Sequence, residues 1–218
     1  MNCDVTVKEN VIVIEKKKYY LIIKRIIDII LALVGIIFSS PIMLLILILI
    51  RLDSKGKAIY KHQRLGKNGK LIGIYKFRTM VINADEVFKS FSPEQKAEYE
   101  KFYKLENDPR ITRIGNFLRK TSLDELPQLF NILKGEMSFI GPRPVVEKEI
   151  EKFGDKKEKY LSVLPGLTGW WACNGRSDIT YEERVELEMY YINNISFRLD
   201  IKCFFKTIMA VLKRDGAK

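Results

Sequence analysis

The chain has 218 residues, with 38 Lys and Arg against 27 Asp and Glu, a formal net charge of +11 and one histidine. That length holds a catalytic domain with a membrane element, or two small domains. The charge suits a polyanion, whether nucleic acid, an anionic membrane face or a phosphorylated substrate. His62 alone excludes a multi-histidine zinc site and argues against a Ser-His or Cys-His pair.

Cys3, Cys173 and Cys203 match no metal spacing and read as unpaired thiols of a reducing compartment. Residues 1–20 form an N-terminal lead: a weak alternating run from Val5 to Ile14, then Lys16, Lys17 and Lys18. A secretory signal is not expected, because the apolar segment starts late, is too long and lacks a small-residue cleavage site. Ile29 to Ile50 is 22 residues without a charge, enough to cross a bilayer core. Ser39, Ser40 and Pro41 fall in its middle. Pro41 withholds a backbone donor and disfavours helix at Ser40, leaving two apolar halves.

Both flanks are basic: Lys24 and Arg25 before, Arg51, Lys55, Lys57, Lys61 and Arg64 after. A spanning helix gets no direction from that pattern. A re-entrant helix–break–helix over residues 21–52, with both ends on the cytoplasmic face, satisfies it at once. A kinked spanning helix stays open at this point. Arg25 and Asp28, three apart, are placed to pair on one helix face.

Ile59 to Met80 reads as short strands and turns, with Lys76 and Arg78 alternating with aromatics so that both point to one face. His62 reads as a surface or interface residue. Asn83 to Leu105 is polar and helical, broken near Ser92-Pro93. Asn107 to Gly115 is a turn leading into a basic helix, Asn116 to Lys120.

Asp124 and Glu125 stand together at the start of a helix marked by Leu126, Leu129, Phe130 and Leu133 and stopped by Gly135. Pro127 must lie in the first turn, which puts Asp124 near the cap and Glu125 just inside. Plain capping explains this much, with Ser122 and Glu125 at capping-box spacing. It leaves unexplained the surrounding Arg113, Arg119 and Lys120 and the Gly141-Pro142-Arg143-Pro144 turn. A carboxylate so flanked should stay ionised, and could act as a nucleophile or hold a divalent cation.

Beyond Pro144, Val145 to Leu161 is a charged helix or helical pair. Leu164 to Trp170 is a turn and short strand, Asn174-Gly175-Arg176 a tight turn presenting a cation, and Tyr181 to Asn193 a helix. From the cap candidate Asp200, residues Ile201, Phe204, Phe205, Ile208 and Leu212 repeat at helical spacing among Lys202, Lys206, Lys213 and Arg214. Such a basic amphipathic helix is either core packing or an interfacial membrane helix, and the second fits an anchored domain better.

Ser122-Leu-Asp-Glu-Leu126 and Leu133-Lys-Gly-Glu-Met-Ser-Phe-Ile-Gly-Pro-Arg-Pro144 resemble the core of the bacterial sugar transferases, the small monotopic phosphoglycosyl transferases. The likeness extends in order from Lys24 to about Lys213. It covers Lys24-Arg25-x-x-Asp28 and Ser40-Pro41 as membrane-insertion and helix-break motifs, Gln63-Arg64-x-Gly66, Tyr75 to Met80, and Pro165-Gly-x-Thr-Gly-Trp170 with Asn174-Gly-Arg176. Three departures stand out. Trp171-Ala172 replaces the usual Ala-Gln, Cys173 replaces an aliphatic, and Glu188 replaces the Asp of Asp-x-Tyr-Tyr.

The resemblance implies a mainly helical α+β fold with the re-entrant helix, interfacial amphipathic helices and a compact cytoplasmic catalytic domain over residues 53–218, held on the inner membrane. It implies transfer of a sugar-1-phosphate from a UDP-sugar to undecaprenyl phosphate, releasing UMP through a phosphosugar-aspartyl intermediate, as the first membrane step of capsule, exopolysaccharide or glycoconjugate assembly. Asp124 is then the nucleophile and Glu125 a magnesium ligand or orienter. Lys76, Arg78, Arg119, Pro142, Arg143, Pro144 and Arg176 contact phosphate or nucleotide. No nucleic acid is expected, and oligomeric state is open, a homodimer included. Rival readings are a membrane-tethered polyanion-binding module, a UDP-releasing glycosyltransferase and a membrane scaffold.

Overall fold

The computed structural model describes residues 18–102, 105, 107–175 and 179–213. The expectations for the lead up to Lys17, for Arg176 and for Arg214 therefore lie outside the described residues. Helix α1, Lys18–Asp53, is followed by strands β1, Ile59–Leu65, and β2, Leu71–Phe77, then by helices α2, Ala84–Lys89, α3, Pro93–Phe102, and α4, Arg113–Thr121. Next come a single 3-10 turn, Leu123–Glu125, helix α5, Gln128–Lys134, and strand β3, Ser138–Ile140. The short helices α6, Glu147–Ile150, and α7, Lys157–Leu161, precede strand β4, Gly166–Thr168. Helices α8, Tyr181–Asn193, and α9, Phe197–Lys213, close the described chain. This is the mainly helical α+β architecture that the family resemblance implied.

Helix α1 continues through Ser39, Ser40 and Pro41 without a second element beginning there, so the expected helix–break–helix is one helix with Pro41 inside. A proline removes one i→i−4 bond and crowds the preceding turn, which bends a helix without having to end it. The Ser39 hydroxyl points along the helix, 3.4 Å from Met43 Sδ. Most of the apolar surface of α1 is uncovered: in its most apolar 18-residue window, mean hydropathy 2.8, only 17 % is buried. A core helix of a soluble protein would be mostly covered.

The chain divides into two compact units. One takes the described residues within Met1–Phe38, Lys61–Ile74 and Gln128–Lys218; the other takes Ser39–Tyr60 and Tyr75–Pro127. In the first, Lys24, Asp28 and Ala32 lie at helical spacing along the covered stripe of α1. Ala32 joins Ile72, Ile74, Leu129, Ile132 and Met137 in one core. A second core centres on Ile140, Val145, Phe153, Tyr160, Val185 and Tyr191. Strands β3 and β4 pair in parallel, Ser138 with Gly166 and Ile140 with Thr168. In the other unit, Met43, Ile46 and Ile50 of α1 pack with Ala58, Phe77 and Leu118. Strands β1 and β2 form a two-stranded sheet whose turn, at Asn68 and Gly69 with positive φ, belongs to the first unit.

Helix α8 has the predicted bounds, fixed by a capping box between Thr180 and Glu183. Ser92 and Gln95 make the same reciprocal pair where α2 gives way to α3. Helix α9 begins ahead of Asp200, so that residue is not its cap. The side chain sits in the first turn and accepts from Tyr20, Lys24 and Tyr191 at 2.5, 2.8 and 2.7 Å. The apolar stripe read from the sequence of α9 is its uncovered face: Ile201, Phe204, Phe205 and Ile208 are exposed, while Leu199 and Cys203 are buried.

Candidate functional site

The carboxylate pair belongs to the second unit. Helix α4 starts at Thr112, whose hydroxyl accepts from the Gly115 amide at 2.9 Å. It packs so closely on the strand exit that a Cβ on Gly115 would lie 2.0 Å from the Thr79 carbonyl oxygen. That contact is why the position needs glycine. It also brings Arg119 Nε to 2.9 Å from Thr79 Oγ1. The helix ends at Ser122 in the left-handed conformation, φ 56°, and the 3-10 turn carrying Asp124 and Glu125 follows. Helix α5 begins only at Gln128, so the pair does not cap it. Ser122 makes no side-chain cap; it closes the helix behind it instead. Leu123 and Leu126, on either side of the pair, pack on the Phe77–Leu118 core and hold the turn down.

Asp124 is 9 % exposed. Burial pushes its carboxyl up to about 6, against the pull of Lys76, with Glu125 adding to the rise and Arg119 opposing it. The expected ionised carboxylate is kept at neutral pH, but with a small margin, because desolvation outweighs the neighbouring cations. Lys76 Nζ lies 2.5 Å from Glu125 Oε1. Burial lowers the Arg119 guanidinium from its usual value, a sign of how little water reaches this corner.

Arg78 turns the other way. It donates to the Ser54 and Lys55 carbonyls at 2.7 Å each and to the Ser54 hydroxyl at 2.8 Å, closing the end of α1. Sequence reasoning missed one arrangement nearby. Arg110 grips Asp108 with two parallel bonds, 2.9 and 2.6 Å, and lies about 5 Å over the rings of Phe88, Phe91 and Tyr99. The Asn-Asp-Pro-Arg run was the available signal.

The Gly141-Pro142-Arg143-Pro144 turn belongs to the first unit. A Cβ on Gly169 would sit 2.0 Å from the Gly141 oxygen, and one on Gly166 would sit 2.2 Å from the Gly141 nitrogen. These two glycines let the turn seat directly on β4. Pro142 is fully buried and Pro144 half-buried, while the Arg143 side chain is exposed with its guanidinium 5.4 Å over Trp171. Its amide donates to Glu188 Oε1 at 3.0 Å, and its carbonyl accepts from the Tyr160 hydroxyl. Glu188 thus keeps a backbone contact despite the extra methylene. Burial raises its carboxyl to about 7, against the Arg143 amide and the guanidinia of Arg184 and Arg143. Arg184, which sequence reasoning passed over, lies 4.8 Å over the Trp171 ring.

Each charged residue of the membrane-insertion motif has a long-range partner. Lys24 pairs with Asp200. Arg25 donates to the Ile132 and Leu133 carbonyls at 2.6 and 2.8 Å, capping α5. Asp28 accepts from the Phe139 amide at 3.1 Å. Arg25 and Asp28 therefore do not pair with one another as expected, because the unfilled carbonyls of a helix end and a strand amide compete better than a neighbour on the same face. Ser40 and Pro41 are exposed.

No group of three or more acids, histidines or cysteines able to hold a metal occurs among the described residues. Two adjacent carboxylates are nevertheless a donor set that magnesium uses when substrate phosphates and water complete its octahedron. Asp124 and Glu125 fit that role.

A family model described as bacterial sugar transferase matches residues 19–214. An undecaprenyl-phosphate galactose phosphotransferase of Salmonella typhimurium is 49 % identical over 198 residues, 89 % of this chain and 41 % of that protein. A UDP-galactose-lipid carrier transferase of Erwinia amylovora is 46 % identical over 198 residues, with coverage of 89 % and 41 %. The exopolysaccharide production protein ExoY of Sinorhizobium fredii is 45 % identical over 197 residues, 89 % of this chain and 87 % of that protein. The chain thus spans less than half the length of the first two relatives and most of the third.

Proposed function

The chain belongs to the bacterial sugar transferase family, and on that premise we propose that it moves a sugar-1-phosphate from a UDP-sugar to undecaprenyl phosphate, releasing UMP. The observation that carries the reading is Asp124: a carboxylate buried in a short turn beside Glu125, with its charge favoured by Lys76 and Arg119. Both substrates are anions, so direct attack of one phosphate on another is repelled. An enzyme carboxylate splits the reaction in two. An Asp124 oxygen bonds to the sugar-bearing phosphorus, the bond to the bridging oxygen breaks, and UMP leaves with that electron pair. An undecaprenyl phosphate oxygen then attacks the same phosphorus and returns Asp124 as carboxylate. Lys76 and Arg119 favour the ionised nucleophile, and Arg143 offers an exposed planar fork suited to phosphate. Asp124 and Glu125 would hold magnesium, which when bound neutralises diphosphate charge.

The site sits at the membrane because α1 is re-entrant, both ends facing the cytoplasm. The support is in its two halves. Asp28 and Ala32 are covered by one unit, and Met43, Ile46 and Ile50 by the other. Ser39-Ser40-Pro41 lies between the two covered stretches, and basic residues flank both.

Asp124→Asn should abolish UMP release and leave no radiolabelled sugar-phosphate on the protein. Donor turnover that yields UDP, or full activity in that variant, would overturn the reading. The two relatives named for galactose make UDP-galactose the first donor to assay. For the helix, a membrane-impermeant maleimide applied to intact cells should leave Cys3 unlabelled until the cells are opened.

A further inference from the structure

We propose that a cavity under the first turns of α1 binds a membrane lipid through its phosphate headgroup and a segment of its chain. The cavity has a volume of about 250 Å³. That is below the ~300–1,000 Å³ of pockets that take drug-sized ligands whole, so it suits one alkyl segment and not a nucleotide sugar. Its walls are apolar: Leu21, Ile140, Val163, Leu164, Ile192 and Ile195.

Six of its charged or polar side chains are already engaged, among them Tyr20 by Asp200 and Ser162 by the Lys159 carbonyl. Lys24 is held by Asp200, Arg25 by the end of α5, Asp28 by the Phe139 amide, and Tyr191 by Asp200. Lys67 and Lys159 line the same cavity and form no ion pair among the described residues. Ser138 also lines it, 1 % exposed, with its hydroxyl buried and without a hydrogen-bond partner. An apolar slot with two uncommitted ammonium groups and an unpartnered buried hydroxyl matches a long-chain phosphate ester. The source is adjacent, since Ile22, Ile23, Ile26 and Ile27 present an exposed apolar face on the same turns of α1.

The same chemistry is offered by a glycerophospholipid and by polyprenyl phosphate. The proposal rests on the membrane placement argued above and not on the transfer chemistry. The full chain in phosphatidylcholine nanodiscs would be given one of three photoactivatable probes, each reactive in its chain: phosphatidylglycerol, polyprenyl phosphate or diacylglycerol. Phosphate-bearing probe should crosslink peptides containing Leu21, Val163 or Ile192. Diacylglycerol should label them about tenfold less, and Lys67→Glu with Lys159→Glu should lower phosphate-probe labelling by a similar factor. Labelling by one phosphate probe alone identifies the source; labelling by both makes the site a general one. Absence of labelling there, equal labelling by diacylglycerol, or indifference to charge reversal overturns the proposal. UMP release measured on the same samples keeps the two readings apart, because its absence alongside intact labelling counts only against the transfer chemistry.

Discussion

Lys76 and Glu125 form a 2.5 Å ion pair one residue away from Asp124, and the same ammonium favours the Asp124 charge that burial opposes. The ionisation of the proposed nucleophile is therefore set by a balance in which each neighbour has a known sign. In the proposed reaction the ionised form attacks, so kcat/KM should fall as pH drops through about 6. Arg119→Gln removes a lowering charge and should move that acid limb upward. Glu125→Gln removes a raising one and should move it downward, even where the remaining rate is about a hundredfold lower. Single-turnover UMP release against pH checks all three. Shifts of the same direction in both variants would break the assignment.

The same balance predicts a conflict between activity and stability. The Asp124 carboxyl is raised from 3.8 to about 6 in the fold. A group raised in this way favours the folded state when protonated, and that contribution is lost as pH rises through about 6. Asparagine carries no such penalty. At about pH 8, Asp124→Asn should therefore be inactive yet more stable by on the order of 2 kcal/mol, a gain of several degrees in melting temperature. At about pH 4 the gain should vanish. Thermal melts at the two pH values decide it.

What the sequence made legible follows from how local each cause is. Helix α8 could be bounded because Thr180, Glu183 and the apolar spacing lie within one segment. The two-part region around Ser92-Pro93 was legible for the same reason. The dyad's turn was not, because a left-handed Ser122 at the close of α4 uncouples Asp124 from α5, and nothing in serine's identity demands that conformation. Arg25 and Asp28 were at pairing distance along the chain but took partners 107 and 111 residues away. Strand β3, three residues long, is too short to carry a periodic signal, whereas β4 lies within the turn and short strand expected over Leu164 to Trp170. Among the proposed site residues, the adjacency of Asp124 and Glu125 is plain in the sequence, whereas the diversion of Arg78 to the end of α1 depends on tertiary contacts alone.

Gly115 tests whether the arginine beside the dyad is positioned by packing. Its missing side chain lets α4 lie on the Thr79 backbone, with a Cβ there only 2.0 Å from that carbonyl oxygen. Gly115→Ala must push the helix away and pull Arg119 off Thr79. The cost should be about 1–3 kcal/mol in stability. Because Arg119 favours the Asp124 charge, the acid limb of the rate should also rise, as in Arg119→Gln. A variant that is destabilised with an unchanged pH profile would leave Arg119 without this positioning role.

Helix α9 tests the membrane surface independently of α1. Ile201 and Phe205 are 57 % and 61 % exposed on a helix whose buried side holds Leu199 and Cys203. If this face meets lipid, Ile201→Ser and Phe205→Ser should each weaken membrane retention by about 1–2 kcal/mol, several-fold to tenfold or more in vesicle partitioning, without lowering stability in detergent. Lys202 behaves differently from the simple expectation for a surface lysine. Its ammonium lies 5.2 Å over the Trp170 ring, which Lys206 also approaches at 4.9 Å while bonding Asn174. Lys202→Gln should therefore change donor KM as well as partitioning, because Trp170 and Asn174 border the turn that leads to Arg176. A change in partitioning alone would assign Lys202 to the lipid surface and leave the Trp170 contact without a part in the reaction.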